Sequence, residues 1–157
     1  MKQHEILKQS WVWKKTVENF VKGQISGYSL NVCAGLSPLG DVKIDIDPKH
    51  ESVIKADMND LPFENCTFDT VLSDPYWKMG FYKRPRPFFE CVRVCKIGGK
   101  IIYNAYWIPH SKSVDLVATY IRQDKPFTNT SIISVFRKHT DKFDNYRTFI
   151  KKKVVDE

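Results

Sequence analysis

The stretch Phe68-Asp69-Thr70-Val71-Leu72-Ser73-Asp74-Pro75-Tyr76-Trp77 decides the fold. Thr70, Val71 and Leu72 are β-formers in a short apolar run, and Pro75 cannot donate to a ladder. The run therefore predicts a buried strand ending at Ser73, with a polar tip beyond it. In open parallel α/β sheets, ligands lie past the carboxyl ends of the strands, where Asp74, Pro75, Tyr76 and Trp77 project. A carboxylate, a backbone carbonyl freed from the ladder and two adjacent rings suit a planar group that donates hydrogen bonds, a description nucleobases fit.

Upstream, Ser29 to Ala34 (S-L-N-V-C-A) reads as a continuous buried strand that Gly35 ends in the loop Gly35 to Gly40. A glycine there lets a ligand approach backbone closely. Val42 to Ile46 is the next strand by its alternation, and Asp45 at its tip either accepts from ribose hydroxyls or caps a turn. A third short strand, Ser52 to Ala56, is followed by Asp57, and by Met58, which is suited to cover an adenine face. Three successive tips thus offer Asp45, Asp57 and Asp74, and in a parallel sheet those tips line one crevice. Before the first strand, Ile6, Leu7, Trp11, Val17, Phe20 and Val21 predict a packing helix over His4 to Val21, closed off by Gly23 and Gly27. Trp13 with Lys14 and Lys15 either joins that packing or meets a substrate.

Downstream, Lys78 to Pro87 (K-M-G-F-Y-K-R-P-R-P) cannot be regular throughout. It reads as a mobile loop that mixes positive charge for phosphates, on Lys83, Arg84 and Arg86, with rings for bases, or else as a surface linker. Phe88 to Cys95 predicts a helix, Gly98-Gly99 a turn, and Lys100 to Tyr106 a fifth strand; His110 then follows at the same edge as a solvated or a catalytic residue. Ser113 to Arg122 reads as a helix. Thr130 to Lys138 and Tyr146 to Lys152 read as a hairpin through the turn-rich segment 140–145, closing the sheet antiparallel at one edge.

At 157 residues the chain suits one domain, with residues 1–28 as a packing helix and 29–157 as the core. An apolar fraction of 42% with 13% aromatics excludes a disordered chain. The excess of 25 Lys plus Arg over 18 Asp plus Glu, a formal charge of +7, favours anionic partners or is simply a solvated surface. Cys33, Cys66, Cys91 and Cys95 form no CxxC pair, and they read as reduced thiols of an intracellular, cytoplasmic protein. Cys91 and Cys95 share a helix face but lack a paired His nearby, so no metal site is expected. No run approaches membrane-spanning length.

A glycine-ended first strand, an acid-ended second, Asp after the third, an Asp-Pro-aromatic tip on the fourth, a Gly-Gly turn before the fifth and a final hairpin together resemble a class I S-adenosylmethionine-dependent methyltransferase. The resemblance covers nearly the whole chain after Ser29. It implies an α/β, Rossmann-like, mostly parallel seven-stranded sheet of order 3-2-1-4-5-7-6 flanked by helices. It also implies S-adenosylmethionine as cofactor, with Asn31, Cys33, Ala34 and Gly35 standing for the glycine motif, Asp45 for the ribose ligand, and Asp57 with Met58 for the adenine contact. Asp74-Pro75-Tyr76-Trp77 is similar to the (Asp/Asn/Ser)-Pro-Pro-(Tyr/Phe/Trp) motif of enzymes that methylate exocyclic amino nitrogens of adenine or cytosine, although Tyr76 stands at the second proline position. Another departure is that only nine residues separate Gly35 from Asp45, too few for the usual helix between the first two strands. The resemblance implies a nucleic-acid substrate with an unpaired or flipped base, RNA favoured over DNA because no extra domain for reading the major groove is evident. A partner subunit that carries recognition, a small-molecule or protein acceptor, and a non-catalytic nucleic-acid-binding module on the same sheet are the competing readings.

Overall fold

A computed structural model describes residues 13–76, 78–122 and 130–142. Its centre is β4 (Phe68–Ser73), where five of six residues are buried, because both faces of the strand are covered. On one side β4 pairs parallel with β1 (Ser29–Val32), with Leu30 opposite Val71; on the other it pairs parallel with β5 (Cys95–Ala105), with Ile101 opposite Val71. β2 (Val42–Asp45) and β3 (Ile54–Lys55) extend the parallel part beyond β1. β6 (Val114–Arg122) and β7 (Ser131–Lys138) form an antiparallel hairpin that joins through β7 to β5. The resulting order is β3-β2-β1-β4-β5-β7-β6, as expected.

Side chains alternate between sheet faces, so neighbouring strand residues enter different cores. On one face Leu72, Ile102 and Ile133 meet Val21 of α1 (Lys15–Gln24), with Val17 and Phe20 at its margin. On the other, Val71, Ile101, Tyr103 and Phe136 meet Phe88, Cys91 and Val92 of α2 (Pro85–Val94). Each fully buried aliphatic side chain here contributes about 1.5–3 kcal/mol. Among the described residues no helix is long and apolar enough to cross a membrane.

The short connection between β1 and β2 holds no helix, as its length predicts. The loop itself replaces one. Leu39 packs on the α1 face, the buried Asn31 donates from Nδ2 to the Leu39 carbonyl at 3.0 Å, and the Asp41 carboxylate accepts from the Ser29 amide at 2.9 Å and its hydroxyl at 2.7 Å.

Several expectations are corrected. Ser113–Arg122 is not a helix: Val114 to Arg122 is strand β6, paired with β7 from Val114↔Lys138 to Arg122↔Ser131. Val114, Val117, Thr119, Tyr120 and Ile121 are β-branched or aromatic, and the ladder supplied by β7 overrides their helix-compatible spacing. The hairpin therefore joins 114–122 to 131–138, not 130–138 to 146–152, and Tyr146 to Lys152 lies outside the described residues. Segment 78–87 is not a loop throughout. Phe81–Lys83 is a 3-10 turn, and α2 starts at Pro85, since prolines in a first helical turn forfeit no hydrogen bond. β5 begins at Cys95, and the Gly98-Gly99 turn is an excursion within it: Asp69 alone on β4 faces residues 96–99, between the pairs Phe68↔Cys95 and Thr70↔Lys100. A Cβ on Gly99 would lie 2.7 Å from Cys95 Sγ and 2.9 Å from the Asp69 carbonyl oxygen, so only glycine fits. β1 stops at Val32 because Cys33 turns with φ 60°, and β3 shrinks to Ile54–Lys55. The described part of the first helix is Lys15–Gln24, and Ile6, Leu7 and Trp11 lie outside the described residues.

Candidate active site

Parallel pairing brings the carboxyl ends of four strands to one rim: Val32 pairs with Ile44 on one side and Ser73 on the other, and Asp45 pairs with Lys55. The Cys33 thiol lies at the middle of this rim. Its pKa is pushed well above the usual thiol range, first by burial and then by the fields of Asp45, the Cys91 thiol, Asp74 and Asp57. The three acidic tips thus share one rim, as the sequence leads one to expect, and the charges of all three reach the same sulfur atom.

Each tip is built differently. Asp45 is buried; its Oδ2 accepts the Gly35 amide at 2.9 Å and its Oδ1 the Asp47 amide at 3.0 Å. These bonds fix the turn after β1, in which Gly35 has φ 53°. Ala34 is buried and donates its amide to the Ile44 carbonyl at 2.9 Å, while Asn31 holds the loop from beneath the rim. Asp57 is exposed and accepts the Asn59 amide and side-chain Nδ2, both at 2.8 Å. Between these acids, Met58 Sδ lies 3.5 Å from Cys33 Sγ and presents an apolar thioether against the main core.

Asp74 is the most heavily wired of the three. Its Oδ1 accepts from Asn104 Nδ2 at 3.0 Å, its Oδ2 accepts from Trp13 Nε1, and Arg122 Nη1 stands 3.8 Å from Oδ2. The segment just before α1, β5 and β6 therefore all orient one carboxylate. Pro75 is buried behind it, Tyr76 projects with 57% of its surface exposed, and Trp77 lies outside the described residues.

The three expected phosphate-binding cations are held in different places. Lys83 is exposed in the 3-10 turn, Arg84 stacks 4.2 Å over the Trp107 ring, and Arg86 Nε donates to the Asn59 carbonyl at 2.8 Å. Arg86 thereby braces the loop that carries Asp57. His110 is exposed on the connection between β5 and β6. Sequence reasoning missed Asn104 and Arg122 as members of the site. A polar Asn inside the apolar run I-I-Y-N-A was a usable signal, whereas Arg122 was hidden by the helix reading of its segment.

A family model described as a methyltransferase domain matches residues 12–103. The sequence matches none of the curated proteins. Among solved structures, the chain is similar to Burkholderia thailandensis 1,6-didemethyltoxoflavin-N1-methyltransferase, with bound 1,6-didemethyltoxoflavin and S-adenosylhomocysteine. The TM-score is 0.61 at 9% identity over 80% of this chain and 78% of that one. It is similar to the N-methyltransferase NodS of Bradyrhizobium japonicum WM9 in complex with S-adenosylhomocysteine, with a TM-score of 0.58 at 12% identity over 78% and 84%. The [4+2]-cyclase SpnF matches equally in shape, with a TM-score of 0.61 at 9% identity over 80% of each chain. Identities this low speak for the fold alone, whereas the family match spans more than half of the sequence. With its strand order and acid-lined rim, the chain belongs to the methyltransferase-domain family, whose methyl donor is S-adenosylmethionine.

Proposed function

We propose that the protein methylates an exocyclic amino nitrogen of adenine or cytosine in a nucleic acid, RNA favoured over DNA. The observation that carries this reading is the tip of β4: a carboxylate oriented by Trp13, Asn104 and Arg122, followed by Pro75 and the exposed Tyr76 ring. S-adenosylmethionine, when bound, supplies an electrophilic methyl group on a positively charged sulfur. The residues present fit such a donor: Met58 suits an adenine face, and Asp45 and Asp57 retain lone pairs for hydroxyl groups.

An exocyclic amine is a poor nucleophile because its lone pair is delocalised into the ring. Asp74 and the Pro75 carbonyl, each accepting one N–H, favour a pyramidal nitrogen and aim that lone pair at the crevice. Tyr76 stacks on the base and immobilises it, and such positioning supplies on the order of 7–11 kcal/mol of barrier reduction. The base reaches this tip only when unpaired or flipped, which costs a few kcal/mol in a duplex.

A small-molecule amine is the second reading. It is favoured by one observation: Arg84 and Arg86, expected to meet phosphates, are engaged by Trp107 and Asn59 within the fold. Incubation with labelled S-adenosylmethionine and total RNA or DNA, followed by nucleoside mass spectrometry, tests the proposal. Methylated adenosine or cytidine is the expected product. Label found only in the small-molecule fraction of a source extract would replace the proposal with the second reading.

A further inference from the structure

At the rim opposite the acidic crevice, Lys138 ends β7 with a fully buried side chain. Its ammonium donates to the Cys95 carbonyl at 2.7 Å, pairs with Asp141 Oδ1 at 2.5 Å, and lies 3.4 Å from the Cys66 Sγ. The Cys66 sulfur is also 3.1 and 3.2 Å from the two oxygens of Asp141. Cys66 is held in place before anything reacts. It has φ 54°, its amide donates to the Arg93 carbonyl at 3.0 Å, and the next amide donates to the Val94 carbonyl at 2.8 Å. The residue is partly exposed, so a small oxidant reaches it, whereas Lys138 is sealed behind it. No part of the methyl-transfer reading uses this cluster.

We propose that Cys66 and Lys138 form a peroxide-driven covalent modification site, in which oxidised Cys66 is captured by the lysine amine as an S–N bond. First the Cys66 sulfur is oxidised by two electrons as it takes one oxygen of hydrogen peroxide; the O–O bond breaks, and a sulfenic acid and water result. Lys138 then yields one proton, relayed past the half-exposed Asp141 carboxylate to bulk water, and its nitrogen attacks the sulfur and gives a second proton to the departing oxygen. The S–O bond breaks and the departing hydroxide leaves as water, so the two residues together lose two hydrogens. Cys95 is the competing capture group, but its thiol is fully buried and its pKa is pushed up to about 12, chiefly by burial, which keeps it from the thiolate form. The bond would join the turn before β4 to the end of β7 across the first residue of β5, stapling three adjacent strands at the rim remote from the site.

Intact-mass analysis of the folded protein after brief treatment with hydrogen peroxide tests this. The expected result is a loss of about 2 Da, reversed by dithiothreitol, with a tryptic cross-link between the Cys66 and Lys138 peptides and no cleavage after Lys138. Cys66→Ser should abolish the product and Cys95→Ser should leave it. A gain of about 16 Da at Cys66 trapped by dimedone without the cross-link, or a Cys66–Cys95 disulfide in its place, would overturn the proposal, as would an unoxidised Cys66. Because the wild-type map decides among these outcomes, a variant that failed to fold would not obscure the answer.

Discussion

Replacing Asp74 by Asn separates the catalytic from the structural work of that carboxylate. Asparagine keeps the shape but converts one acceptor oxygen into a donor. Whichever way the amide turns, its NH2 faces Trp13 Nε1 with Arg122 nearby, or Asn104 Nδ2, so one donor of the present network meets another donor. Hydrogen bonds to charged groups contribute about 1.5–3 kcal/mol each. Because the Asp74 side chain is 26% exposed, water can take up part of a lost bond. One lost bond, so discounted, should lower unfolding stability by about 1–2 kcal/mol. Catalysis should suffer more. The carboxylate is assigned to an N–H of the reacting amine, and removal of one such preorganised partner costs about 2.7–4 kcal/mol, or roughly 100- to 1000-fold in rate. Cofactor affinity should change by less than about threefold, since Asp45, Asp57 and Met58 are untouched. Single-turnover methyl transfer, urea denaturation and calorimetric titration with S-adenosylmethionine measure the three quantities separately. Turnover within threefold of wild type in a folded, cofactor-binding variant would refute the role given to Asp74.

Three further outcomes follow from the geometry. Tyr76→Ala should weaken base binding by about 1–3 kcal/mol in a substrate titration, the worth of one stacked ring, with thermal stability unchanged because the ring is already in water. Gly27→Ala should destabilise by at least about 1–2 kcal/mol in urea, because Gly27 has φ +66° and a Cβ there would lie 2.6–2.7 Å from Asp69; Gly23→Ala, with nothing within 4 Å, should be neutral or stabilising. Asp41, Asp47, Asp69 and Asp141 all titrate below the ordinary carboxylate range, held down chiefly by hydrogen bonds from Ser29, Lys49, Lys96 and Lys138 respectively. A depressed folded pKa gives stability that is complete above the unfolded pKa and is lost as pH falls through the folded value. The urea midpoint should therefore fall as pH drops below about 4, and Asp41→Asn should flatten that acid limb; an unchanged limb would contradict the Ser29 contact.

Local chemistry alone makes much of the acidic rim legible in the sequence. A strand run stopped by a proline, two more strands ending in acids, and a first connection too short for a helix are properties of neighbouring residues. Parallel pairing then obliges Asp45, Asp57 and Asp74 to share a rim. The order of the sheet was legible for the same reason, although two of its strands were assigned to other segments. Val114 to Arg122 has a spacing that a helix and a strand both accept, and only pairing along Ser131–Lys138 settles which one forms. The wiring of Asp74 was beyond local reading as well: Trp13 is 61 residues away and Asn104 is 30, and no short-range pattern encodes a contact over such separations. Arg84 and Arg86 illustrate the same limit. Their charge was plain from the sequence, but whether a charge faces a ligand, the Trp107 ring or a backbone carbonyl depends on which surfaces the folded chain brings opposite it.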